Sequence, residues 1–153
     1  MTALRLLNLW LHLAAAFVWI GASASVAVLW LPHVRAGIDL ASWEELIFRI
    51  ARRYVRWAWA AIHLLLLTGV FNLLSAGVAQ GFAFPAEFLT RLIAKLLIVV
   101  VMIAVQIGLG VAWVPRLARR DTGGAPERAV RRALVATGIG GGVALWLGMM
   151  LGR

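Results

Sequence analysis

Five side chains within the apolar parts of this sequence have the chemistry of ligand or metal binding: His12, His63, Lys95, Met102 and Gln106. Imidazole nitrogen is a common ligand of copper and of haem iron, and thioether sulfur is a soft ligand that suits Cu(I). A lysine inside a membrane helix costs about 3 kcal/mol on insertion scales, so it is a functional candidate by default. Snorkelling of its long side chain to the nearer membrane surface is the structural alternative.

The spacing of these residues predicts that some of them share one helix face. Lys95, Met102 and Gln106 stand at i, i+7 and i+11, positions that an α-helix brings to one side. His12 and Trp19 are related by the same seven-residue step. We interpret Trp19, Met102 and Gln106 as residues that face the core or a pore of a helix bundle.

The composition excludes several kinds of site. The chain has 153 residues, of which 63% are hydrophobic and 14% are charged. In soluble domains, roughly 45–50% of the residues are apolar and about 25% are charged. This indicates an integral membrane protein with a single domain, residues 1–153. The absence of cysteine excludes disulfides and thiolate metal sites. No catalytic constellation is recognisable, so the sequence leaves open whether the protein is an enzyme.

Four apolar stretches are long enough to cross a bilayer, for which about 20 residues suffice. They predict transmembrane helices at about 6–31, 57–75, 88–114 and 133–151. We therefore predict an all-α membrane protein with four transmembrane helices in an up-down bundle. Pro85 suits the first turn of the third helix, and Pro115 with the polar run after it predicts a turn.

An amphipathic segment, 43–56, precedes the second span. Ser42 followed by Glu45 is the pattern of a capping box, which predicts a helix start. One face of this helix is apolar and the arginines point elsewhere, an arrangement typical of a helix at the interface with anionic headgroups. The apolar face consists of Leu46, Ile50 and Tyr54. Nothing between this segment and the second span breaks a helix, so we expect one continuous helix.

Arginines cluster in the segments that follow the first and third spans. The formal net charge is +9, and this clustering favours the positive-inside rule over nucleic-acid binding as its cause. We therefore expect both termini to lie outside the cytoplasm and both basic connections to lie inside it. The cytoplasmic arginines would be Arg35, Arg49, Arg52, Arg53, Arg56, Arg116, Arg119, Arg120, Arg128, Arg131 and Arg132, against Arg5, Arg91 and Arg153 outside.

Depth in the membrane separates the candidate residues into two levels, since a helix rises about 1.5 Å per residue. His12, Asn72 and Lys95 form one polar layer near the outer face. His63 lies nearer the cytoplasmic side, at about the level of Gln106. His12 and His63 then differ in depth by roughly 10 Å or more, so one chain is not expected to ligate one haem with both. A hydrogen-bonded structural histidine is the alternative reading of His12.

Gly138 and Gly142 in the fourth span form a GxxxG motif, which allows another helix to approach closely. The approaching helix could belong to the same chain or to another one. Thr68, Asn72 and Ser75 form a polar stripe that we expect to face the bundle. His63 stands nine residues before Asn72 and so lies on the other side of this helix, where it is a further candidate for contact with a neighbouring subunit. Besides the lipid bilayer, we therefore expect other membrane subunits or a second copy of the chain as partners.

Three stretches carry a resemblance to a known family. They are LHLAAAFVWIGA (residues 11–22), ARRYVRWAWAAIHLLLLTGVFNLL (51–74) and RLIAKLLIVVVMIAV followed by WVPRLAR. In their order they resemble the copper-resistance protein D (CopD) domain family, and more distantly the HemJ family. The first family is associated with copper handling, and the second is a haem-associated protoporphyrinogen oxidase. By this resemblance, His12 and Lys95 are the residues that carry over.

Two functions follow as expectations. In the first, a CopD-like membrane protein binds copper or a haem-type cofactor such as haem b in the outer half of the bundle. His12 would be the ligand, with His63 as a weaker candidate, Lys95 would pair with an anionic group and Asn72 would support by hydrogen bonding. In the second, equally plausible, the chain is a cofactor-free accessory subunit of a larger membrane complex. HemJ-like porphyrinogen oxidation is a minor third possibility.

Overall fold

The computed structural model describes residues 3–30, 38–118 and 125–151, and this part of the chain is built from helices without any strand. The elements are α1 (Ala3–Ser25) with a π-helical turn after it (Val26–Trp30), α2 (Leu40–Ala79), α3 (Ala86–Gly108) and α4 (Ala125–Leu151). After α3 the helix continues as a π-helical turn, Leu109–Trp113, and a short α-helical end segment, Val114–Ala118.

Four of these helical stretches are long and apolar enough to cross a membrane: Ala3–Val28, Ala41–Ala79, Ala86–Arg116 and Arg128–Leu151. In lipid every backbone polar group must be satisfied within the protein, and a helix does this along its own length. The predicted all-α, four-span membrane fold is therefore confirmed, and a lipid bilayer is its environment.

The amphipathic segment and the second span are one helix of 40 residues, as the unbroken sequence predicted. At about 1.5 Å per residue it is roughly 60 Å long, twice the hydrocarbon thickness of a bilayer. Its N-cap is Asp39, whose carboxylate accepts a hydrogen bond from the Ser42 backbone N–H at 3.0 Å. The capping box predicted at Ser42 therefore does not form, and Glu45 pairs with Arg49 instead at 2.7 Å. The hydrogen bonds from Ser42 lower the pKa of Asp39.

The first half of α2 packs inside the protein along one stripe of its surface. Leu46 and Ile50, which the sequence placed at a membrane interface, are half-buried. The fully buried stripe is Trp43, Ile47, Ala51, Tyr54 and Ala58, and it belongs to one apolar core with Leu109, Val130 and Leu134. The arginines between these residues stay exposed. The extension is thus a part of the helix bundle that carries its charges outward.

Contacts between residues fix the direction of the helices. Arg5 at the start of α1 bonds the Ser75 carbonyl near the end of α2, so these helices are antiparallel. Arg91 at the start of α3 bonds the Met150 carbonyl at the end of α4 in the same way. α1 packs on both α2 and α4, α3 packs on α4, and α2 meets the third span mainly at the end segment Val114–Ala118. The result is an up-down bundle with the neighbour order α2, α1, α4, α3.

Glycines of α4 allow its close contacts with α1 and α3. Ile20 lies directly against Gly141, with no room for a Cβ atom there. A Cβ on Gly140 would lie 3.1 Å from the Met102 Cγ. At the two glycines of the GxxxG motif, a Cβ on Gly138 would lie 3.9 Å from the Ala24 Cβ, and a Cβ on Gly142 would have no neighbour within 4 Å among the described residues. Within this chain the closest approach therefore uses Gly140 and Gly141, and a contact at Gly142 would need a second chain.

Both prolines next to the third span differ slightly in role from the prediction. Pro85 is the N-cap of α3 and directly precedes its first turn. Pro115 does not begin a turn, since the helix continues through it to Ala118. Proline lacks the N–H that an α-helix uses at this point, and the π-helical turn Leu109–Trp113 stands just before it. Of the polar run predicted to form the turn, residues 119–127, the first six lie outside the described part, and the last three begin α4.

Candidate functional site

A ladder of side-chain hydrogen bonds joins α1 to α2 in the outer half of the bundle. Asn8 donates through Nδ2 to the Thr68 carbonyl at 3.0 Å and to the Asn72 Oδ1 at 2.8 Å. One turn further along α1, His12 contacts the Thr68 hydroxyl. Asn72 therefore joins the polar layer through Asn8, a residue that the sequence reasoning missed. Its spacing, four residues before His12, was the available signal.

The hydrogen bonds of Thr68 decide which nitrogen of His12 carries the proton. The Thr68 hydroxyl has one hydrogen and lies 2.6 Å from the Leu64 carbonyl, to which it donates. Its oxygen therefore acts as the acceptor for the His12 Nδ1, 2.8 Å away. His12 is thus the Nδ1–H tautomer, and the lone pair of its Nε2 is free. This is the arrangement by which proteins orient an imidazole that ligates a metal.

Lys95 lies between α3 and α4 in the same outer half. A Cβ atom on Gly148 would lie 3.1 Å from its Nζ, so the amine occupies the space that this glycine leaves. Lys95 is close enough to His12 for an electrostatic interaction. Among the described residues it has neither a hydrogen-bond nor a carboxylate partner, and Glu87 near the outer end of α3 pairs with Arg91 at 3.6 Å. The charge of Lys95 is therefore uncompensated.

A second group of polar residues lies deeper in the bundle, on α1, α2 and α3. The Ser23 hydroxyl lies 2.7 Å from the Trp19 carbonyl and 2.8 Å from the Tyr54 hydroxyl. Tyr54 in turn lies 3.2 Å from the Gln106 Oε1. Trp19 and Gln106 are buried, as is Met102 one turn before Gln106. The sequence did not place Tyr54 here, because its neighbours made it look like part of an apolar interfacial face.

His63 lies on the outer surface of the bundle and not with either polar group. Its side chain is exposed, and its Nδ1 is 2.7 Å from the Trp59 carbonyl, to which it donates. Its ring is tilted against that of Trp59, with centroids 5.9 Å apart. Thr68, five residues on, is buried. This agrees with the prediction that the polar stripe of α2 faces inward and leaves His63 on the other side.

The donors of the outer layer can be compared with the requirements of a copper ion and of a haem. No group of three histidines, cysteines or acids that could hold a metal occurs among the described residues. In the outer layer, one chain offers the His12 Nε2 as a free nitrogen donor with the Lys95 cation beside it, which does not fit a bare copper ion. A haem iron can be held by one proximal histidine, and its propionates suit a lysine, so these two residues fit that group.

The fold defines a multi-pass helical membrane protein with two groups of polar residues inside the bundle. Residues 48–151, about two thirds of the chain, match the model of the family Copper resistance protein D. The chain belongs to this family. Comparisons with curated proteins and with solved structures give no match.

The family match covers only some of the candidate residues. It includes His63, Lys95 and Gln106, but it starts at Phe48 and so leaves α1 with His12 outside. The part of the resemblance that rests on the first helix, and the likeness to HemJ proteins, stay predictions.

Proposed function

We propose that this CopD-family protein binds a haem-type cofactor or a copper ion in the outer half of the bundle, with the His12 Nε2 as the ligand. The observation that carries this proposal is the 2.8 Å contact between the His12 Nδ1 and the Thr68 hydroxyl, from which we assign His12 the Nδ1–H tautomer. The ring is thereby oriented with a free nitrogen lone pair. The protein would lie in a bacterial inner membrane, with this half of the bundle on the side away from the cytoplasm.

Lys95 favours a haem-type cofactor over a copper ion. An ammonium group next to a metal cation is unfavourable, whereas next to a carboxylate it stabilises the charged form. The propionates of a haem would supply the anionic partner that Lys95 lacks among the described residues. A copper ion would need more donors, for example from a second chain. A haem bound here would supply one-electron transfer, while Asn8, Thr68 and Asn72 hold α1 and α2 together around the ligand.

A cofactor-free accessory subunit is the second candidate, and the position of His63 favours it. An imidazole on the lipid-facing surface leaves its Nε2 without a hydrogen-bond donor in hydrocarbon, which is costly. A neighbouring subunit that covers this face would remove the cost. Gly142 also offers open space for another helix.

Purification in mild detergent, followed by a reduced-minus-oxidised spectrum and by iron and copper analysis, separates these functions. We expect a Soret band with stoichiometric iron in the wild-type protein, lost in His12→Ala and kept in His63→Ala. Stoichiometric copper without a Soret band, lost in the same variant, would assign a copper site at His12. A protein that contains neither metal and co-purifies with larger subunits would contradict the proposal and favour the accessory role.

A further inference from the structure

The inner polar group is buried almost completely, yet it is not satisfied by its own hydrogen bonds. The exposed fractions are 0% for Ser23, 1% for Gln106, 2% for Trp19 and 7% for Tyr54. Two of their polar atoms, the Trp19 Nε1 and the Gln106 Nε2, have no hydrogen-bond partner among the described residues. An unpaired buried polar group is costly, so two in one cluster indicate a missing partner.

The hydrogens of the cluster can be assigned one by one. The Ser23 hydroxyl donates to the Trp19 carbonyl at 2.7 Å, so its oxygen accepts the hydrogen of Tyr54 at 2.8 Å. Tyr54 then has no second hydrogen for the Gln106 Oε1 at 3.2 Å. Rotating the Gln106 amide by half a turn exchanges its oxygen and nitrogen and lets its Nε2 donate to Tyr54.

In both orientations of the Gln106 amide, the same two groups lack a hydrogen-bond partner within the described part of the chain. One is the indole N–H of Trp19, which lies near enough to the Tyr54 hydroxyl for a weak hydrogen-bond interaction but does not form a well-aligned hydrogen bond with it. The other is the far end of the Gln106 amide. Both open groups therefore lie around one phenol oxygen.

We infer that this cluster is a binding site for a single water molecule, held between Trp19 and Gln106 next to Tyr54. A water accepts from the indole N–H and either accepts from or donates to the amide, so it satisfies both orientations. An anion would find no cation in the cluster, and a metal cation would face two N–H donors when the amide keeps its present orientation. A neutral molecule that both donates and accepts fits what remains.

The water site has a consequence for the assembly of the bundle. α2 and the body of α3 make few direct contacts, and Tyr54 and Gln106 form a side-chain hydrogen bond between them. A bound water would extend this link to Trp19 on α1. The inner half of α3 would then be held to α1 and α2 by one hydrated polar layer.

Water contact at the indole of Trp19 tests the site directly. The full chain in nanodiscs, labelled with ¹⁵N-tryptophan, gives one indole signal that is missing in Trp19→Phe and thereby assigned. We expect a cross-peak between this indole proton and water in the wild-type protein, and its loss in Gln106→Leu. A Trp19 signal without the cross-peak would overturn the inference. A cross-peak that persists in Gln106→Leu would also overturn it, because Gln106 would not hold the water.

Thermal unfolding of the same variant adds a second readout. If the site is hydrated, Gln106→Leu leaves the indole unpaired and lowers the unfolding midpoint by about 3 °C or more. If the site is dry, the leucine removes an unsatisfied amide, and the midpoint stays equal or rises, which would contradict the inference. Thr137→Val is the matched control, since Thr137 is equally buried but bonds only the Ala133 carbonyl of its own helix. Gln106→Met replaces the leucine variant if that does not fold.

Discussion

His12 and Lys95 share the outer half of the bundle, but their surroundings give them different chemistry. His12 is held by Thr68, which fixes its proton on Nδ1. Lys95 rests against Gly148 without a hydrogen-bond acceptor among the described residues. A neutral imidazole with a free lone pair and an unpaired ammonium group together suit a ligand with one coordinating centre and one anionic arm. This pairing is the reason why we propose a haem-type cofactor ahead of a copper ion.

The role of Thr68 can be tested apart from that of His12. Thr68→Val keeps the shape of the side chain but removes the oxygen that accepts from the His12 Nδ1–H. Loss of such an orienting hydrogen bond typically weakens metal affinity by about 10–100-fold. We expect this reduction in a titration of the detergent-purified protein with haemin, followed at the Soret band.

The matched control for that titration is Thr90→Val. Thr90 lies exposed on α3 and bonds only the Ala86 carbonyl of its own helix at 2.9 Å. Its replacement should leave haemin affinity unchanged. Equal affinity of Thr68→Val and wild type would show that the Thr68 hydrogen bond does not prepare His12 for ligation.

Among the helices, α4 shows that a GxxxG motif alone does not specify which glycines contact a neighbouring helix. The run from Gly138 to Gly142 has glycines at four of its five positions, and these face several directions around the helix. The motif predicted close packing in this region, but only the tertiary structure shows that Gly140 meets Met102 and Gly141 meets Ile20. The side of a glycine-rich helix that its neighbours use depends on their shapes and not on its own sequence.

Substitutions at two adjacent glycines of α4 should have opposite effects. Gly141→Ala forces a methyl group against Ile20, and overpacking of this kind typically costs about 1–3 kcal/mol. Gly142→Ala meets nothing within 4 Å in this chain and should be neutral or stabilising by up to about 1 kcal/mol through lower backbone entropy. Thermal unfolding in nanodiscs measures both.

The Ile20→Ala replacement provides a check on this explanation. Combined with Gly141→Ala it should cost less stability than the two replacements cost separately in sum, because alanine lacks the Ile20 Cγ1 that lies closest to the new methyl group. A Gly142→Ala variant that is less stable than Gly141→Ala would contradict the contact and point to a second chain at Gly142.

At the level of the whole molecule, the connections set the arrangement in the membrane. The long extension of α2 carries its arginines on the surface, while the turn between α2 and α3 carries no charged residue. Basic segments are retained in the cytoplasm during insertion. The arginine-rich end of the bundle should therefore face inward, and the layer with His12 and Lys95 should face outward.

The absence of cysteine from the sequence makes this orientation simple to measure with single-cysteine variants. Gln80→Cys lies in the turn after α2, and Arg52→Cys lies on the extension; both positions are exposed. In intact spheroplasts a membrane-impermeant maleimide should label Gln80→Cys alone, and Arg52→Cys should react only after lysis. The reverse pattern would invert the predicted topology.

The sequence by itself determined the membrane class, the four spans and the continuity of the helix from Leu40 to Ala79. These follow from length and polarity, because lipid forces each spanning segment to satisfy its backbone by itself. It also indicated that His63 and the polar stripe of α2 face opposite ways, since rotation along one helix is fixed by its geometry.

Only the tertiary structure decided which polar groups meet. Asn8 with Asn72, His12 with Thr68, and Tyr54 with Ser23 and Gln106 are contacts between different helices. They depend on how each helix is rotated and which neighbour it has. The helices are apolar on most sides, so their own sequences discriminate weakly between alternative faces. Packing at close contacts such as Ile20 on Gly141 selects among them, and such shape complementarity is a property of pairs of helices.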